Sequence, residues 1–200
     1  MNIIPLIYFQ KKKIYAEKDG DPISLTALFE TIEKETELYV YDIDGIKKDK
    51  PNLCTYPKLS EHCKIWVDYG PRTLGDVVDA IMAGATSITI RKNLWPKADF
   101  SKIREISEST IYESFDGSHN LDEISFFSSQ PETDGYVIYS DKEKFKKDVL
   151  YEDTVKSNCK KYNVAIIESD RGFFTHWKNL EVSILLTELN TWKKEEKYEF

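Results

Sequence analysis

Short apolar runs alternate with amphipathic segments along this chain. The first run spans residues 3–9 and is nearly unbroken, with Pro5 close to its start, which is typical of a strand buried on both faces. Apolar side chains then recur at helical spacing from Leu25 to Ile32. A buried strand followed by an amphipathic helix predicts a βα unit, the repeating element of parallel sheets.

The same alternation predicts seven more strands. They are expected over residues 38–43, 64–67, 87–90, 109–115, 135–140, 163–167 and 181–186. Apolar side chains from Leu74 to Ile81 predict a helix that ends at Gly84. Eight strands with interleaved helices predict an α/β fold, a (βα)8 TIM barrel that forms a single domain over residues 1–200.

The chain of 200 residues is short for such a barrel, because about 250 residues are typical. We therefore expect a compact barrel with shortened or missing helices in its second half. Residues 170–179 are the tightest segment, where the helix should have one turn or be absent. The charged stretch 193–200 predicts a solvated terminal helix.

Composition excludes several classes of function. The 35 acidic residues exceed the 28 basic ones, and the net charge of -7 argues against general binding to nucleic acid. No apolar run approaches the roughly 18 residues that suggest a membrane span, so we expect a cytoplasmic protein without a membrane partner. Cys54, Cys63 and Cys159 are odd in number and lack metal-binding spacing, which suits a reducing compartment.

Candidate chemistry lies where the predicted strands end, because active sites of (βα)8 barrels form at that face. Polar side chains stand at or just beyond these ends: Tyr8, Asp42 with Asp44, Asp68, Arg91 with Lys92, Asp116, Asp141, Glu168 with Asp170, and Glu188. Such carboxylates serve acid–base chemistry or cap helix N-termini, and the sequence leaves both interpretations open. The sequence has no nucleotide-binding glycine motif, no HExxH and no clustered histidines, so no metal and no cofactor is predicted.

Three segments resemble the ProFAR isomerases of histidine biosynthesis, the HisA family of (βα)8 barrels. Ile3–Ile7 is similar to the first strand of the family, and Asp42–Gly45 matches its D-L-D-G-A motif. Asp68–Thr73 aligns with the family's G-G-G-I-R-S loop, of which Gly70 and Arg72 remain. The resemblance implies a divergent, archaeal-type HisA-related barrel with a small, phosphorylated metabolite as its ligand.

The chain departs from the family at positions that carry its chemistry. Tyr8 replaces the aspartate that transfers protons in the family's Amadori rearrangement, and a phenol with a pKa of about 10 shuttles protons poorly at neutral pH. Arg91 replaces a phosphate-binding glycine, and its side chain is able to bind phosphate instead. The glycine-rich phosphate motif near the end of the barrel is acidic here, over residues 168–172. We therefore expect no ProFAR isomerase activity.

Two hypotheses follow for the function. In the first, the barrel is an isomerase- or lyase-like enzyme that binds or transforms a small metabolite in a biosynthetic pathway, with acid–base catalysis by Asp42, Asp44 and Asp116. Substrate binding is then assigned to Tyr8, Asp68, Gly70, Arg72, Arg91 and Asp141. In the second, the barrel is catalytically silent and binds a ligand or a protein partner. Either hypothesis is compatible with a homo-oligomer.

The shape of the barrel mouth separates these hypotheses. A mouth in which Asp44, Arg72 and Arg91 converge favours the enzyme. A mouth filled by aromatic side chains favours the silent barrel.

Overall fold

Eight parallel strands form a closed barrel in the computed structural model, which describes residues 1–115, 132–139 and 149–196. In chain order the described strands are β1 (Asn2–Gln10), β2 (Lys13–Tyr15), β3 (Pro22–Ile23), β4 (Glu37–Asp42), β5 (Lys64–Asp68), β6 (Ala85–Arg91), β7 (Thr110–Phe115), β8 (Gly135–Tyr139), β9 (Asn163–Ile167) and β10 (Ile184–Glu188). Strands β4 to β10 pair successively in parallel, and β1 pairs with both β4 and β10 to close the ring. The predicted (βα)8 barrel is thereby confirmed.

Helices follow most of the barrel strands. Those of the described residues are α1 (Leu25–Phe29), α2 (Ile43–Lys48), α3 (Tyr56–Ser60), α4 (Leu74–Met82), α5 (Phe100–Ile106), α6 (Val149–Cys159), α7 (Phe174–Asn179) and α8 (Leu189–Glu196). Thr73 and Asp76 begin α4 with a reciprocal capping box, and Gly84 follows its end at a φ of +94°, as the predicted C-cap requires. Within the described ranges, no helix is both long and apolar enough to cross a membrane.

Strand β1 continues beyond the barrel as one arm of a hairpin. Its residues 2–6 pair with β10, residues 6–9 with β4, and residues 8–10 with the antiparallel β2, to which β3 is added. Lys11 and Lys12 form the turn of this β1–β2 hairpin, with φ angles of 51° and 61°. The sequence analysis did not predict the hairpin, because left-handed turn positions usually carry glycine, asparagine or aspartate.

Side chains alternate between the barrel interior and its outer wall. Tyr8 points inward and Phe9 outward, and Tyr39 and Val40 alternate in the same way. The buried interior cluster consists of Ile4, Leu6, Tyr8, Tyr39, Ile43, Trp66, Tyr112, Val137, Ala165, Ile184 and Leu186. Branched aliphatic residues usually dominate barrel interiors, so the aromatic content here is high. The outer wall packs against the helices in two further clusters.

The predicted short helix between β9 and β10 is present and slightly longer than expected. Residues Arg171–Phe173 form a 3-10 turn, and the six-residue α7 follows directly. Phe174 and Trp177 of α7 are buried against the outer wall. This packing stabilises the helix, so it extends beyond the single turn that we expected. Strand β10 begins three residues later than predicted, at Ile184, because Glu181 adopts a φ of 63° that a strand does not accommodate.

Candidate functional site

A buried ion pair lies at the carboxyl ends of two neighbouring strands. Asp68 is the last residue of β5, and Arg91 is the last residue of β6. The Nε and Nη2 atoms of Arg91 each donate to one carboxylate oxygen of Asp68 at 2.7 Å. Asp68 is fully buried and Arg91 is 6% exposed. This two-pronged contact holds the guanidinium group in one orientation.

Tyrosine side chains surround the ion pair on several sides. The rings of Tyr41 and Tyr139 lie 5.0 and 4.6 Å from the guanidinium carbon of Arg91, at cation–π distance. Nη2 of Arg91 also donates to the Tyr139 hydroxyl at 2.5 Å, and that hydroxyl donates to Asp68. Tyr39 donates a further hydrogen bond to Asp68, at 2.9 Å. These five residues form what we call the mouth floor.

Burial and the Asp68 carboxylate shift the pKa values of Arg91, Tyr39 and Tyr139. Burial lowers the pKa of Arg91, but the charge and hydrogen bonds of Asp68 outweigh this effect, so the pKa is raised overall. Burial and the charge of Asp68 raise the pKa values of Tyr39 and Tyr139 well above the ordinary value. Arg91 therefore remains charged, Tyr39 and Tyr139 remain neutral hydrogen-bond donors, and none of these three exchanges protons near neutral pH.

Aromatic side chains fill the barrel below the mouth floor. Trp66 stacks on Tyr112 with 3.9 Å between ring centroids, and its Nε1 donates to Thr89 at 2.9 Å. Tyr39 packs edge-on against Trp66 at 5.0 Å. The described residues thus close the barrel from below, and a ligand at this face would contact the floor without entering the interior.

The first and last barrel strands meet at the rim of the mouth. The Tyr8 hydroxyl donates to Glu188 Oε1 at 3.0 Å, and the backbone N–H of Lys18 donates to the same oxygen at 3.2 Å. Burial, together with the neighbouring Glu188 carboxylate, raises the pKa of Tyr8 above its ordinary value. Tyr8 is therefore a neutral donor that holds Glu188. The sequence analysis noted Glu188 at a strand end but did not pair it with Tyr8.

Asp42, predicted as a catalytic acid or base, lies on the outer wall. Its carboxylate accepts hydrogen bonds from the backbone N–H groups of Gly45 and Asn52, the Asn52 amide and the Tyr56 hydroxyl, at 2.6–3.0 Å. Burial raises the pKa of Asp42, and these hydrogen bonds oppose the rise. This arrangement caps α2 and fixes the loop that leads to α3, so it serves the fold and turns the carboxylate away from the mouth.

Asp44 joins α2 to the β1–β2 hairpin. Lys48 Nζ lies 2.8 Å from one of its oxygens, and the Lys12 backbone N–H donates to the other at 3.3 Å. Burial raises the pKa of Asp44, but the Lys48 contact and the hairpin N–H groups reverse the direction, so the pKa is lowered. A carboxylate that stays ionised and paired in this way is a weak general base.

Gly70 and Arg72 brace the end of α2. Gly70 has a φ of +73°, and a Cβ there would lie 2.5 Å from a Leu94 methyl group. Arg72 donates to the Gly70 carbonyl at 2.8 Å, to the Ile46 carbonyl at 3.1 Å and to Asp49 at 2.6 Å. Its guanidinium group therefore satisfies carbonyls at the helix C-terminus and does not face Arg91.

The predicted site residues therefore separate into two groups. Tyr8, Asp68 and Arg91 contribute to the mouth, whereas Asp42, Asp44, Gly70 and Arg72 organise the loops after β4 and β5. Asp116 and Asp141 lie outside the residues that the structure describes. Asp44, Arg72 and Arg91 do not converge among the described residues, and aromatic side chains fill the described mouth, which is the arrangement that favours the silent barrel.

The sequence analysis missed the tyrosines that line the mouth floor. Tyr39 and Tyr41 are separated by one residue in β4, and Tyr139 ends β8. Spacing of two along a strand was the available signal, since it places both side chains on one face. Across the described ranges, no three His, Cys, Asp or Glu side chains are grouped so as to hold a metal ion.

Comparisons with known proteins support the fold. No family model matches the sequence, and no curated protein matches it. Among solved structures, the chain is similar to 3-hexulose-6-phosphate synthase from Salmonella typhimurium, with a TM-score of 0.63 and coverage of 97% of each chain. The two sequences are 9% identical, so this likeness shows the fold alone. None of these comparisons points to the HisA family.

Proposed function

We propose that the barrel is a divergent HisA-like protein that binds a small phosphorylated metabolite at its mouth and lacks ProFAR isomerase activity. Arg91 carries this proposal. Asp68 occupies its Nε and Nη2 atoms, while Nη1 has no hydrogen-bond partner among the described residues. A guanidinium group that is already oriented donates to an incoming anion at a small cost in side-chain entropy.

The Asp68 carboxylate offsets the charge of Arg91, so a phosphate would be held by the directional hydrogen bond from Nη1 and not by a net positive charge. Asp68 contacts the Nε–Nη2 edge of the guanidinium group, and Nη1 lies on the other side of the guanidinium carbon. Hydrogen bonding is short-ranged and directional, so a phosphate at Nη1 gains a charge-assisted bond there. On the rim, the Glu188 carboxylate would accept hydrogen bonds from ligand hydroxyl groups. These groups together suit a hydroxylated, phosphorylated ligand.

The structural neighbour is a hexulose-phosphate synthase, a protein named for a phosphorylated sugar. A ligand of that class also suits Arg91 and Glu188 of this chain.

ProFAR isomerase chemistry is not proposed for three reasons. The β1 position that carries a proton-transferring aspartate in HisA isomerases is Tyr8, whose raised pKa keeps it protonated. Asp42 is occupied by structural hydrogen bonds, and Asp44 is held ionised by Lys48. Two further carboxylates lie at the described mouth. Asp68 is paired with Arg91. One oxygen of Glu188 already accepts hydrogen bonds from Tyr8 and Lys18.

A catalytically silent barrel is the second candidate function, and the aromatic side chains of the described mouth favour it. Its support is the aromatic interior, where Trp66, Tyr112 and Tyr39 leave the ligand a shallow floor in place of a deep pocket. In this case the same mouth binds a ligand without transforming it.

Titration calorimetry with inorganic phosphate and with ribose 5-phosphate tests ligand binding at the mouth. Removing Arg91 alone would leave Asp68 buried without its partner, so the test variant is the double replacement Asp68→Asn with Arg91→Gln. We expect both ligands to bind the wild type and to bind the double variant at least about tenfold more weakly, the scale of one lost charged hydrogen bond.

Arg72→Gln is the matched control, because Arg72 contacts the end of α2 and should not alter the affinity. Equal affinities for wild type and double variant, or no binding to either, would reject the proposed ligand site. Turnover of ribose 5-phosphate or of another bound sugar phosphate would separate the enzyme from the silent barrel.

A further inference from the structure

A cavity lies outside the barrel wall, between the β1–β2 hairpin and the segment that leads into α3. Its volume is about 460 Å³, within the range of about 300–1,000 Å³ that is typical of small-molecule sites. Phe9 forms part of its lining and faces outward, whereas the adjacent Tyr8 faces the barrel interior. The cavity is therefore separated from the mouth floor by the barrel wall.

The lining combines apolar and cationic side chains. Phe9, Ile14 and Ile23 provide apolar surface. Lys12, Lys13 and Lys58 line the same cavity, and none of them has an ion-pair partner among the described residues.

The grouping of these lysines contrasts with the charge of the whole chain. The net charge is -7, yet this concave surface collects three cations without described partners. A concave surface lined by one sign of charge concentrates the opposite charge at its entrance. The cavity therefore favours an anionic group, and its apolar wall favours a ligand with an apolar portion.

Asn52 adds a fixed polar group to the lining. Its side chain is 8% exposed, and its Nδ2 donates to Asp42 at 2.9 Å. That hydrogen bond fixes the amide orientation, and Oδ1 receives no hydrogen bond from the residues that the structure describes. A ligand N–H or O–H group is the partner that Oδ1 lacks.

The turn of the β1–β2 hairpin holds one of the cavity lysines, Lys12, at a conformational cost. Lys11 and Lys12 occupy the left-handed region, where a side chain other than glycine costs about 1–2 kcal/mol. The Lys12 N–H contact with Asp44 keeps the turn in place, and the turn sets Lys12 and Lys13 beside the cavity. Backbone strain of this kind concentrates at ligand-binding sites.

We infer that this cavity is a second ligand site, which binds a phosphorylated small molecule with a planar apolar portion and a hydrogen-bond donor. Lys13 and Lys58 would contact the phosphate, Phe9 and Ile14 would contact the apolar portion, and Asn52 Oδ1 would accept from the donor. No step at the mouth floor is required for this binding.

Titration calorimetry with adenosine monophosphate tests the inference, since this probe carries a phosphate, a planar base and an amino group. Adenosine and inorganic phosphate serve as its two fragments. The cavity variant combines Lys13→Gln with Lys58→Gln. The matched control, Lys97→Gln with Lys161→Gln, removes the same charge from exposed lysines that do not line the cavity.

We expect the nucleotide to bind more tightly than either fragment and to lose at least about tenfold in affinity in the cavity variant, with the control unchanged. Equal losses in the cavity variant and the control would mean general charge attraction and would overturn the inference, as would the absence of nucleotide binding. A loss confined to the double variant Asp68→Asn with Arg91→Gln would place the nucleotide at the mouth, which overturns the cavity site and supports the proposed function.

Discussion

At the scale of single residues, the orientation of a side chain decided which sequence-based assignments agreed with the structure. Asp42 and Asp68 end the observed strands β4 and β5, close to the predicted strand ends, yet Asp42 faces the outer wall and Asp68 faces the interior. Strands that are buried on both faces carry near-continuous apolar runs, so the sequence pattern does not mark the inward face. The ends of the strands could be predicted, but the direction of each terminal side chain could not.

The pairing of Asp68 with Arg91 gives a prediction at this scale. Replacement of Asp68 by asparagine leaves the Arg91 charge buried without a compensating carboxylate, and we expect a loss of about 3–5 kcal/mol in the free energy of unfolding. The double variant Asp68→Asn with Arg91→Gln removes both charges and should recover most of that loss. Denaturant-induced unfolding measures both values.

Asp49→Asn is the comparison for that measurement, because Asp49 pairs with Arg72 at the surface. Surface ion pairs contribute about 0–1 kcal/mol, so this change should have a small effect. A loss at Asp68 as small as the loss at Asp49 would show that the buried pair does not hold the mouth floor together.

At the scale of elements, strands were easier to predict than turns. All eight barrel strands overlap with predicted strands, because strands within a closed parallel barrel are buried on both faces and are rich in apolar residues. The β1–β2 hairpin was missed because Lys11 and Lys12 carry none of the usual turn residues. Its position depends on the contact with Asp44, which is 32 residues away in the sequence, and local patterns do not reveal such a contact.

The hairpin turn gives a second prediction. Replacement of Lys11 by asparagine and Lys12 by glycine introduces residues that accept the left-handed conformation, so we expect an increase of about 1–2 kcal/mol in the free energy of unfolding. Thermal and denaturant unfolding measure the change. Lys13→Gly is the control, because Lys13 lies in β2 outside the left-handed region, and there glycine should destabilise the protein. A decrease in stability in the turn variant would contradict the described turn.

At the scale of the whole molecule, the fold could be predicted and the function could not. The barrel requires eight apolar runs at suitable spacing, and a synthase of 9% identity folds in a similar way over 97% of each chain. A binding site requires particular side chains to meet. In this chain Arg72 contacts the Ile46 carbonyl and Asp44 pairs with Lys48, so neither reaches the mouth. The resemblance to HisA motifs marked the loops after β4 and β5, but in this chain those loops serve the fold.

Complementation of a histidine auxotroph tests whether this protein has ProFAR isomerase activity. We expect that expression of this protein in a histidine auxotroph that lacks ProFAR isomerase will not restore growth, because Tyr8 stands where the catalytic aspartate is required. An authentic isomerase is the positive control, and Tyr8→Asp examines whether this one residue limits activity. Growth of the auxotroph that expresses the unaltered protein, at the rate of the positive control, would contradict the prediction.

The short strand β3 is the edge of the described sheet, and it limits how copies of this chain can associate through backbone pairing. Closure of the barrel leaves its eight strands without a free side, and in the described part of the chain the sheet ends at β3, which has two residues. Pro22 supplies no N–H group there, so an approaching strand finds almost no backbone donors to extend the sheet. Within the described residues, association through side-chain surfaces is therefore favoured over strand-by-strand growth into fibres while the barrel stays folded.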